Sequence, residues 1–322
     1  MPGIRRLAQF APTLLGTLFL LHYLMALGIQ LNGNPARAMF GDRAPTPEQL
    51  AAMADRLGTA DPCFTRPGDP CLGVFGRRLL RLAAGDFGTD FRGRDVLAAL
   101  ADAAPVTLRL ALLALVINAA VGLGTGVLAG LYPGRGPDYL VRGGAALAIA
   151  VPPFVLAALA QLGASAWPPG FLGDVVTVAF RPEHPWLSMV IPATVLGVTS
   201  AAVTTRITRD RLAESLHSDY VKTAVAKGLG RPRVVGIHAL RNSLIPVVTN
   251  LGFEFGALMS GAVVVEGVFN IPGVGRLIFT AVTDGDAPVV IAVVTLVVMV
   301  YLVVDLAVDL LYPVLDPRTD HA

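Results

Sequence analysis

Charged residues are scarce in this chain: they make up 15% of its 322 residues, whereas 54% of the residues are hydrophobic. Soluble domains usually carry about 25% charged residues, so this composition favours a protein embedded in lipid. The formal net charge is only +2. No overall basic field therefore indicates nucleic acid as a partner.

Sequence motifs of catalytic sites are missing as well. Lysine occurs only at Lys222 and Lys227, and neither completes the G-x-x-x-x-G-K-[ST] loop that binds nucleotide phosphates. The histidines form no H-E-x-x-H metal pattern, and no G-x-S-x-G nucleophile turn occurs. We therefore predict a protein that is not an enzyme and binds no cofactor or metal itself. Energy for its work must then come from a partner or from an ion gradient.

Six apolar runs are long enough to cross a bilayer, which takes about 20 helical residues. They cover residues 7–31, 106–131, 139–167, 186–204, 244–268 and 288–312. The first run is longer than the core of a signal peptide and lacks a clear cleavage site, so we expect it to be retained. The predicted fold class is all-α: a polytopic membrane protein with six transmembrane helices.

The distribution of basic residues predicts the orientation of these spans. The loop 205–243 carries eight Lys and Arg residues against three Asp and Glu, and the positive-inside rule places it in the cytoplasm. With six spans both termini are then cytoplasmic, which fits Arg5, Arg6 and Arg318. The predicted organisation is an N-terminus with the first span (1–31), an external segment (32–105), a transmembrane core that contains the loop (106–314) and a cytoplasmic tail (315–322).

Two helices are predicted in the external segment. Thr46, Pro47 and Gln49 have the pattern of a capping box with proline at the first helical position, so a short helix should run from there to Arg56. Apolar residues then recur near helical spacing between 75 and 82. They predict a helix that either lies along the membrane surface or is an ordinary solvated helix.

Cysteine is limited to Cys63 and Cys71, in a Pro- and Gly-rich part of the external segment. Oxidation is permitted outside the membrane, so a disulfide between them is the preferred interpretation. Two free thiols are the alternative. A metal site ranks last, because such sites usually need three or four ligands.

Several residues inside the spans predict close packing, kinks or function. Small residues recur every fourth position at 122–130 and at 252–260, which is typical of faces where neighbouring helices approach closely. Kinks are expected at four prolines, which are Pro152, Pro153, Pro192 and Pro246. Glu254 lies near the middle of the fifth span, where a charge is costly. It could face a substrate cavity, but pairing with Arg109 or with a backbone group is an open alternative.

Two further acidic residues, Asp305 and Asp309, lie four positions apart near the inner end of the last span, so they share one helix face. We expect them to make contacts between helices or at an interface.

Residues 219–228 in the cytoplasmic loop predict a short helix, with Ser218 or Asp219 as its N-cap and Gly228 as its stop. The small side chains of Ala224 and Ala226 would let this helix lie in a groove on another protein. A solvated connector is the alternative interpretation, because charged loops usually are solvated.

Residues 219–228, continuing into 238–246, closely resemble the EAA loop of ABC importer permeases, and in particular the dipeptide, oligopeptide and nickel permeases. Further matching motifs lie at 85–88, 264–266, 272–276, 288–290 and 315–318, so the resemblance covers nearly the whole chain. The sequence departs from the family at Asp90, where serine is common, and at Ala287, where tyrosine is frequent. Residues 61–72 resemble an insertion.

The resemblance implies a B-type permease subunit with the type I ABC importer fold in a bacterial inner membrane. Its expected partners are a second homologous permease, two cytoplasmic ATPases that use the ATP, and an external substrate-binding protein. The subunit would form half of a pathway for peptides or similar small solutes. Its loop would supply a coupling helix whose residues are Asp219, Tyr220, Thr223, Ala224, Ala226, Lys227 and Gly228. A gradient-driven secondary transporter is the alternative, but we see no internal repeat of the kind such transporters use. A structural scaffold would leave the coupling loop without a use.

Overall fold

The computed structural model describes residues 2–38, 40–41, 44–90, 93–166, 180–284 and 287–315. This part of the chain is helical and contains no β-strand, apart from an isolated bridge between Thr89 and Asp95. The prediction of an all-α fold is confirmed. The helices are α1 Pro2–Asn32, α2 Pro35–Ala38, α3 Pro47–Arg56, α4 Leu72–Ala83, α5 Val96–Leu131, α6 Gly136–Ala150, α7 Pro153–Ser165, α8 Pro185–Ser188, α9 Val190–Leu216, α10 Asp219–Ala226, α11 Arg231–Arg233, α12 Arg241–Phe269, α13 Val274–Thr283 and α14 Ala287–Leu315.

Four helical stretches among the described residues are long and apolar enough to cross a membrane, or five if α6 and α7 count as one broken span. The four are Gln9–Asn32, Val96–Leu131, Val190–Leu216 and Arg231–Phe269. The last predicted span lies on α14, whose apolar stretch in the described residues, Val289–Val304, is shorter. The count of six spans therefore stays a prediction.

The third predicted span is not one continuous helix. It bends by 100° between α6 and α7, at the residue pair Pro152 and Pro153. Val151 adopts an extended conformation with φ −92° and ψ 122°, as the residue before a proline tends to do. The expected break in the hydrogen-bond ladder is confirmed here, and it divides the span. Pro246, by contrast, lies inside the unbroken helix α12.

One compact unit comprises Met1–Val106 and Pro272–Leu306. Its larger apolar core joins the start of α5, through Val96 and Leu100, to Val274 of α13 and Val293 of α14. The capping box of α3 is formed: Thr46 Oγ1 accepts from the Gln49 N–H at 3.3 Å, and Gln49 Oε1 accepts from the Thr46 N–H at 3.0 Å. Helix α4 is present where the 75–82 pattern predicts it.

The second unit comprises Thr107–Ile271 and Ala307–Ala322. Helix α5 packs on α9 along the predicted glycine stripe, where a Cβ atom added at Gly122 or Gly126 would lie 2.7 Å from Thr204 Cβ or 2.5 Å from Thr208 Cβ. Only glycine permits so close an approach, so this packing prediction is confirmed. In the stripe at 252–260, Gly256 is buried and Ser260 is exposed.

Candidate docking site

The loop predicted at 205–243 is helical along much of its length. Helix α9 does not end near residue 204 but continues to Leu216. The sequence becomes polar after Thr204, yet apolar positions still recur on one face and are covered: Leu212 is fully buried. The predicted end of the span marks where the sequence becomes polar, not where the helix ends.

Helix α10 occupies Asp219–Ala226, as the short-helix pattern predicts. Ser218 occupies the N-cap position with β-type angles, although its hydroxyl donates to the Ser215 carbonyl and accepts no hydrogen bond from the N–H groups of α10. Gly228 follows the helix with φ +77°, a conformation that favours glycine, and its N–H donates to the Val225 carbonyl at 2.9 Å. The predicted glycine stop is confirmed.

Helix α10 has an inward and an outward face. Val221 and Ala224 point inward and pack in a core with Leu212 of α9, Val234 and Ala239. The outward face consists of exposed residues at helical spacing, which are Asp219, Lys222, Thr223 and Ala226. Val225 beside them is 59% exposed.

The prediction that Ala224 lies on the surface that meets another protein is therefore wrong, because Ala224 is only 5% exposed and packs inside this chain. Of the two alanines, Ala226 lies on the outward face. Lys227 and Gly228 are exposed at the end of the helix.

Tyr220 fixes the first turn of α10 to the helices on either side. Its hydroxyl shares a hydrogen bond with the Ser215 hydroxyl. Ser215 donates to the Ala239 carbonyl at 3.0 Å, and Ser243 of α12 donates to the same carbonyl at 2.8 Å. Because a hydroxyl has a single hydrogen, this arrangement makes Tyr220 the donor to Ser215. The short helix is thus held by α9 and, through Ser215, by the helical segment 234–240 that leads into α12.

Basic side chains surround the outward face of α10. Asp219 is the only acidic residue from 218 to 243, and it accepts from Lys222 Nζ at 2.8 Å in an exposed pair. Such pairs contribute little stability. Lys227, Arg231, Arg233 and Arg241 are exposed in the same segment. The exposed part of this segment is therefore cationic, and Val225 and Ala226 are exposed apolar residues within it.

A buried ion pair that the sequence patterns did not reveal lies between α6 and α9. Asp138, in the first turn of α6, has 0% exposure, and its carboxylate accepts from Arg209 and from the Gly134 N–H at 2.8 Å. An acidic residue in the first turn of a helix gives a weak sequence signal. Nothing local in the sequence indicates its partner, 71 positions away.

Comparison with known proteins adds to this geometry. Residues 122–321 match the family described as binding-protein-dependent transport system inner membrane component. The chain belongs to this family. It is a permease component of an ABC importer, a constituent of the inner membrane and not itself an enzyme.

Relatives of this permease match it along nearly its full length. The dipeptide transport system permease protein DppB of Alkalihalophilus pseudofirmus is 30% identical over 98% of both chains. The oligopeptide transport system permease protein OppB of Salmonella typhimurium is 31% identical over 98% of this chain and 97% of its own. The glutathione transport system permease protein GsiC of Salmonella paratyphi A is 34% identical over 91% and 90%. The resemblance to the ABC importer permeases is confirmed, and the coupling role of the loop stays a prediction.

Glu254 lies half-buried on α12. Within the described residues the permease does not form the alternative pair with Arg109. A second acidic residue of α12, Glu266, is completely buried. The role of Glu254 toward substrate stays a prediction.

Cys63 and Cys71 of the permease are joined, with their sulfur atoms 2.05 Å apart. Gln30 of α1 holds this loop: its Nε2 donates to the Asp69 carbonyl at 2.9 Å, and its Oε1 accepts from the Gly68 N–H at 2.9 Å. Phe64 and Cys71 pack against Ala26 and Ile29 of α1. Residues 61–72, which resemble an insertion, are thus bound to the first helix.

Asp61 stabilises the start of this loop. The N–H of Cys63 donates to its carboxylate at 3.1 Å, and Arg77 donates at 2.6 Å. These interactions, the Cys63 N–H first, lower the pKa of Asp61 below its ordinary value.

Some predicted features fall outside the described residues. The side chains of Arg5, Arg6, Asp305 and Asp309 are among them, as is the tail after Leu315, with Arg318. Their predicted roles stay predictions.

Proposed function

We propose that this permease forms half of the translocation pathway of an importer for peptides or similar small solutes. A second homologous permease would form the other half, and an external binding protein would deliver the substrate. Two cytoplasmic ATPases would supply the energy by using ATP. Peptides are favoured because dipeptide, oligopeptide and glutathione permeases are among the relatives that match along more than nine-tenths of this chain.

The observation that carries the coupling proposal is the two-faced helix α10. A helix of eight residues is unstable alone, but here Val221 and Ala224 bury its inner face and Tyr220 ties its first turn to Ser215. Its outward face stays accessible. A partner that pushes on this face would displace α9 and the helical segment 234–240 with it, since these two elements share one core with α10. Residues 234–240 lead directly into α12.

ATP binding would draw the two ATPases together and move the coupling helices with them. The motion would reach the spans through α9 and α12, and the cavity between the two permeases would change the side on which it is open. Both termini and the loop would lie in the cytoplasm, as the basic residues predict. A gradient-driven secondary transporter, in contrast, would have no use for an exposed helix that is anchored in this way.

The test is to purify the tagged permease in mild detergent from its native membrane, and to measure the ATPase that co-purifies. We expect Ala226→Arg to lose bound ATPase by about tenfold or more, since a desolvated unpaired charge at an interface costs several kcal/mol. Ala226→Ser, the control at the same position, should retain it. Both variants should insert and elute as monodisperse protein, because residue 226 packs against nothing in the core.

Two outcomes would contradict the proposal in different ways. If the wild-type permease is recovered without an ATPase in several mild detergents, the importer assembly is wrong, and gradient-driven transport becomes the next hypothesis. If Ala226→Arg retains both ATPase and uptake, the assembly stands but its contact is not the outward face of α10.

A further inference from the structure

A groove of about 630 Å³ lies between α6 and α9, one helical turn from the Asp138–Arg209 pair. One part of its lining is apolar and consists of Ala146 and Ile149 of α6 and Ala202 and Val203 of α9. Arg142 and Arg206 line its other part. One end of the groove is therefore cationic and the other is hydrocarbon.

The helix geometry explains why the two arginines meet. Asp138 of α6 binds Arg209 of α9. From this pair the lining of the groove continues to higher residue numbers on α6 and to lower residue numbers on α9. The two helices therefore run antiparallel. Arg142 lies four residues beyond Asp138, and Arg206 lies three residues before Arg209. Each is about one turn from the pair and on the same side of its helix. Both guanidinium groups therefore reach the same level of the groove.

These two cations are not neutralised within the described residues. Both side chains are exposed, and neither forms an ion pair there. The two carboxylates nearby, Asp138 and Asp210, are both bound to Arg209. Arg209 and Asp210 also line the groove, so its three arginines and the two aspartates Asp138 and Asp210 sum to a net charge of +1. Arg142 and Arg206 form no hydrogen bond of their own in the described residues and can donate to a phosphate group that carries a single negative charge.

The surface around the groove has the character of a membrane boundary. Leu147 of α6 is 69% exposed, and Ile149 exposes a similar share, as expected for a helix that faces lipid. Tyr139 lies at the start of the same helix, and Tyr and Arg are typical of the region where lipid headgroups begin. Gly143 lines the groove and leaves it open, since a Cβ atom there would meet no atom within 4 Å.

We propose that this groove binds one anionic phospholipid, with its phosphate between Arg142 and Arg206 and an acyl chain along Ala146, Ile149 and Val203. Basic grooves between transmembrane helices on the cytoplasmic side are suited to anionic headgroups. The single negative charge of the lipid would balance the net charge of the groove, and its acyl chain would fill the groove beside α9, the helix that leads to α10. This inference concerns the membrane and does not depend on which solute is transported.

The test uses a phosphatidylglycerol with a photoactivatable group in its acyl chain, added to the complete transport complex in lipid nanodiscs. Labelled peptides of α6 and α9 are then quantified by mass spectrometry. We expect an excess of unlabelled phosphatidylglycerol to compete, and neither phosphatidylcholine with the same chains nor inorganic phosphate to do so. If phosphatidylcholine competes as well as phosphatidylglycerol does, the proposal is overturned, because the groove then binds any lipid of the surrounding bilayer. Equal competition by phosphate would overturn it by showing a site for a free anion.

Two pairs of variants separate the contributions of charge and shape. Arg142→Gln with Arg206→Gln should lower labelling about tenfold or more, in keeping with the loss of two surface cations. Arg37→Gln with Arg66→Gln, two exposed arginines that lie outside the groove and outside the docking surface, should leave labelling unchanged. Gly143→Leu should also lower labelling, because the new side chain enters the groove. Gly144→Leu is the control, because Gly144 is the next residue along the helix and does not line the groove. This variant should leave labelling unchanged.

Unchanged labelling in both the double arginine variant and Gly143→Leu would overturn the proposal. Release of the second permease by Gly143→Leu would also overturn it, because the groove would then be an interface between subunits.

Discussion

Asp138 accepts two hydrogen bonds from the guanidinium group of Arg209, at 3.1 Å from Nε and 2.8 Å from Nη2, although 71 positions separate the residues. The same arginine donates to Asp210 at 2.8 Å through Nη1. The two carboxylates differ in their surroundings: Asp138 is completely buried, and the Asp210 side chain is 56% exposed. This difference predicts very different contributions to stability.

Asp138→Asn should destabilise the permease by about 1.5–3 kcal/mol, because it removes the charge-assisted hydrogen bonds from Arg209, which is partly exposed and keeps Asp210 as a partner. Asp210→Asn is the matched control, and it should cost at most about 1 kcal/mol, as exposed pairs do. The measurement is the thermal unfolding of the purified complex in one detergent. Equal shifts for the two variants would show that the buried pair does not hold α6 to α9.

Gly126→Ala should destabilise the packing of α5 on α9 by about 1–3 kcal/mol, the usual cost of overfilling a tight contact. The added methyl group would lie 2.5 Å from Thr208 Cβ and 2.8 Å from the Thr205 carbonyl oxygen. Gly124→Ala is the control on the same helix, where a Cβ atom meets nothing within 4 Å. Thermal unfolding should distinguish the two variants. A loss of stability at Gly124 as large as at Gly126 would contradict the packing.

Asp61 should protect the Cys63–Cys71 loop at neutral pH and lose this effect in acid. A group whose pKa is lowered in the folded protein stabilises above its unfolded value, about 3.9, and the stabilisation is lost as pH falls through the folded pKa. Near pH 6, Asp61→Asn should therefore speed the reduction of the disulfide by a phosphine. Near pH 3, below the unfolded pKa, the ratio of the two rates should be smaller than near pH 6.

Thiol labelling with and without reductant first establishes the disulfide, since equal labelling would mean two free thiols. A rate ratio between Asp61→Asn and wild type that is the same at both pH values would show that the Asp61 charge is not what stabilises the loop.

Glu254→Gln should weaken the uptake of substrates that carry a free ammonium group by about tenfold, the value of a hydrogen bond to a charged partner. Binding of the ATPase and assembly should not change. Comparing uptake of a peptide with that of its N-acetylated form separates an interaction with the ammonium group from a general defect. Equal affinity of wild type and variant for the free peptide would remove Glu254 from the substrate pathway.

Features set by neighbouring residues in the sequence could be predicted well. Gly228 stops α10 because its backbone needs a positive φ. Thr46 and Gln49 cap α3 because each reaches the other's N–H within a single turn. The packing of α5 through its glycine stripe could also be predicted. Small residues at every fourth position form one helix face, and such a face is typical of close contact between two helix backbones.

Features that depend on distant residues could not be predicted. Ala224 and Ala226 lie about 200° apart around α10, so one must face inward, but only the positions of Leu212 and Val234 decide which. The sequence did not predict that α9 continues to Leu216. Hydropathy reports only where the side chains become polar, whereas the backbone hydrogen bonds of the helix continue past that point. The pairing of Asp138 with Arg209 needs the fold itself.

The 100° bend at Pro152 and Pro153 has a consequence for how the permease is made. Helices α6 and α7 have 15 and 13 residues, and each is shorter than the roughly 20 residues that a stable membrane crossing needs. Neither half can therefore be integrated alone during synthesis. Helix α7 bonds to α12 through the Gln161 amide, which donates to the Val268 carbonyl at 3.3 Å. The third span should reach its final position only after the ribosome has released α12. This span would then be completed later than the spans that follow it in the sequence.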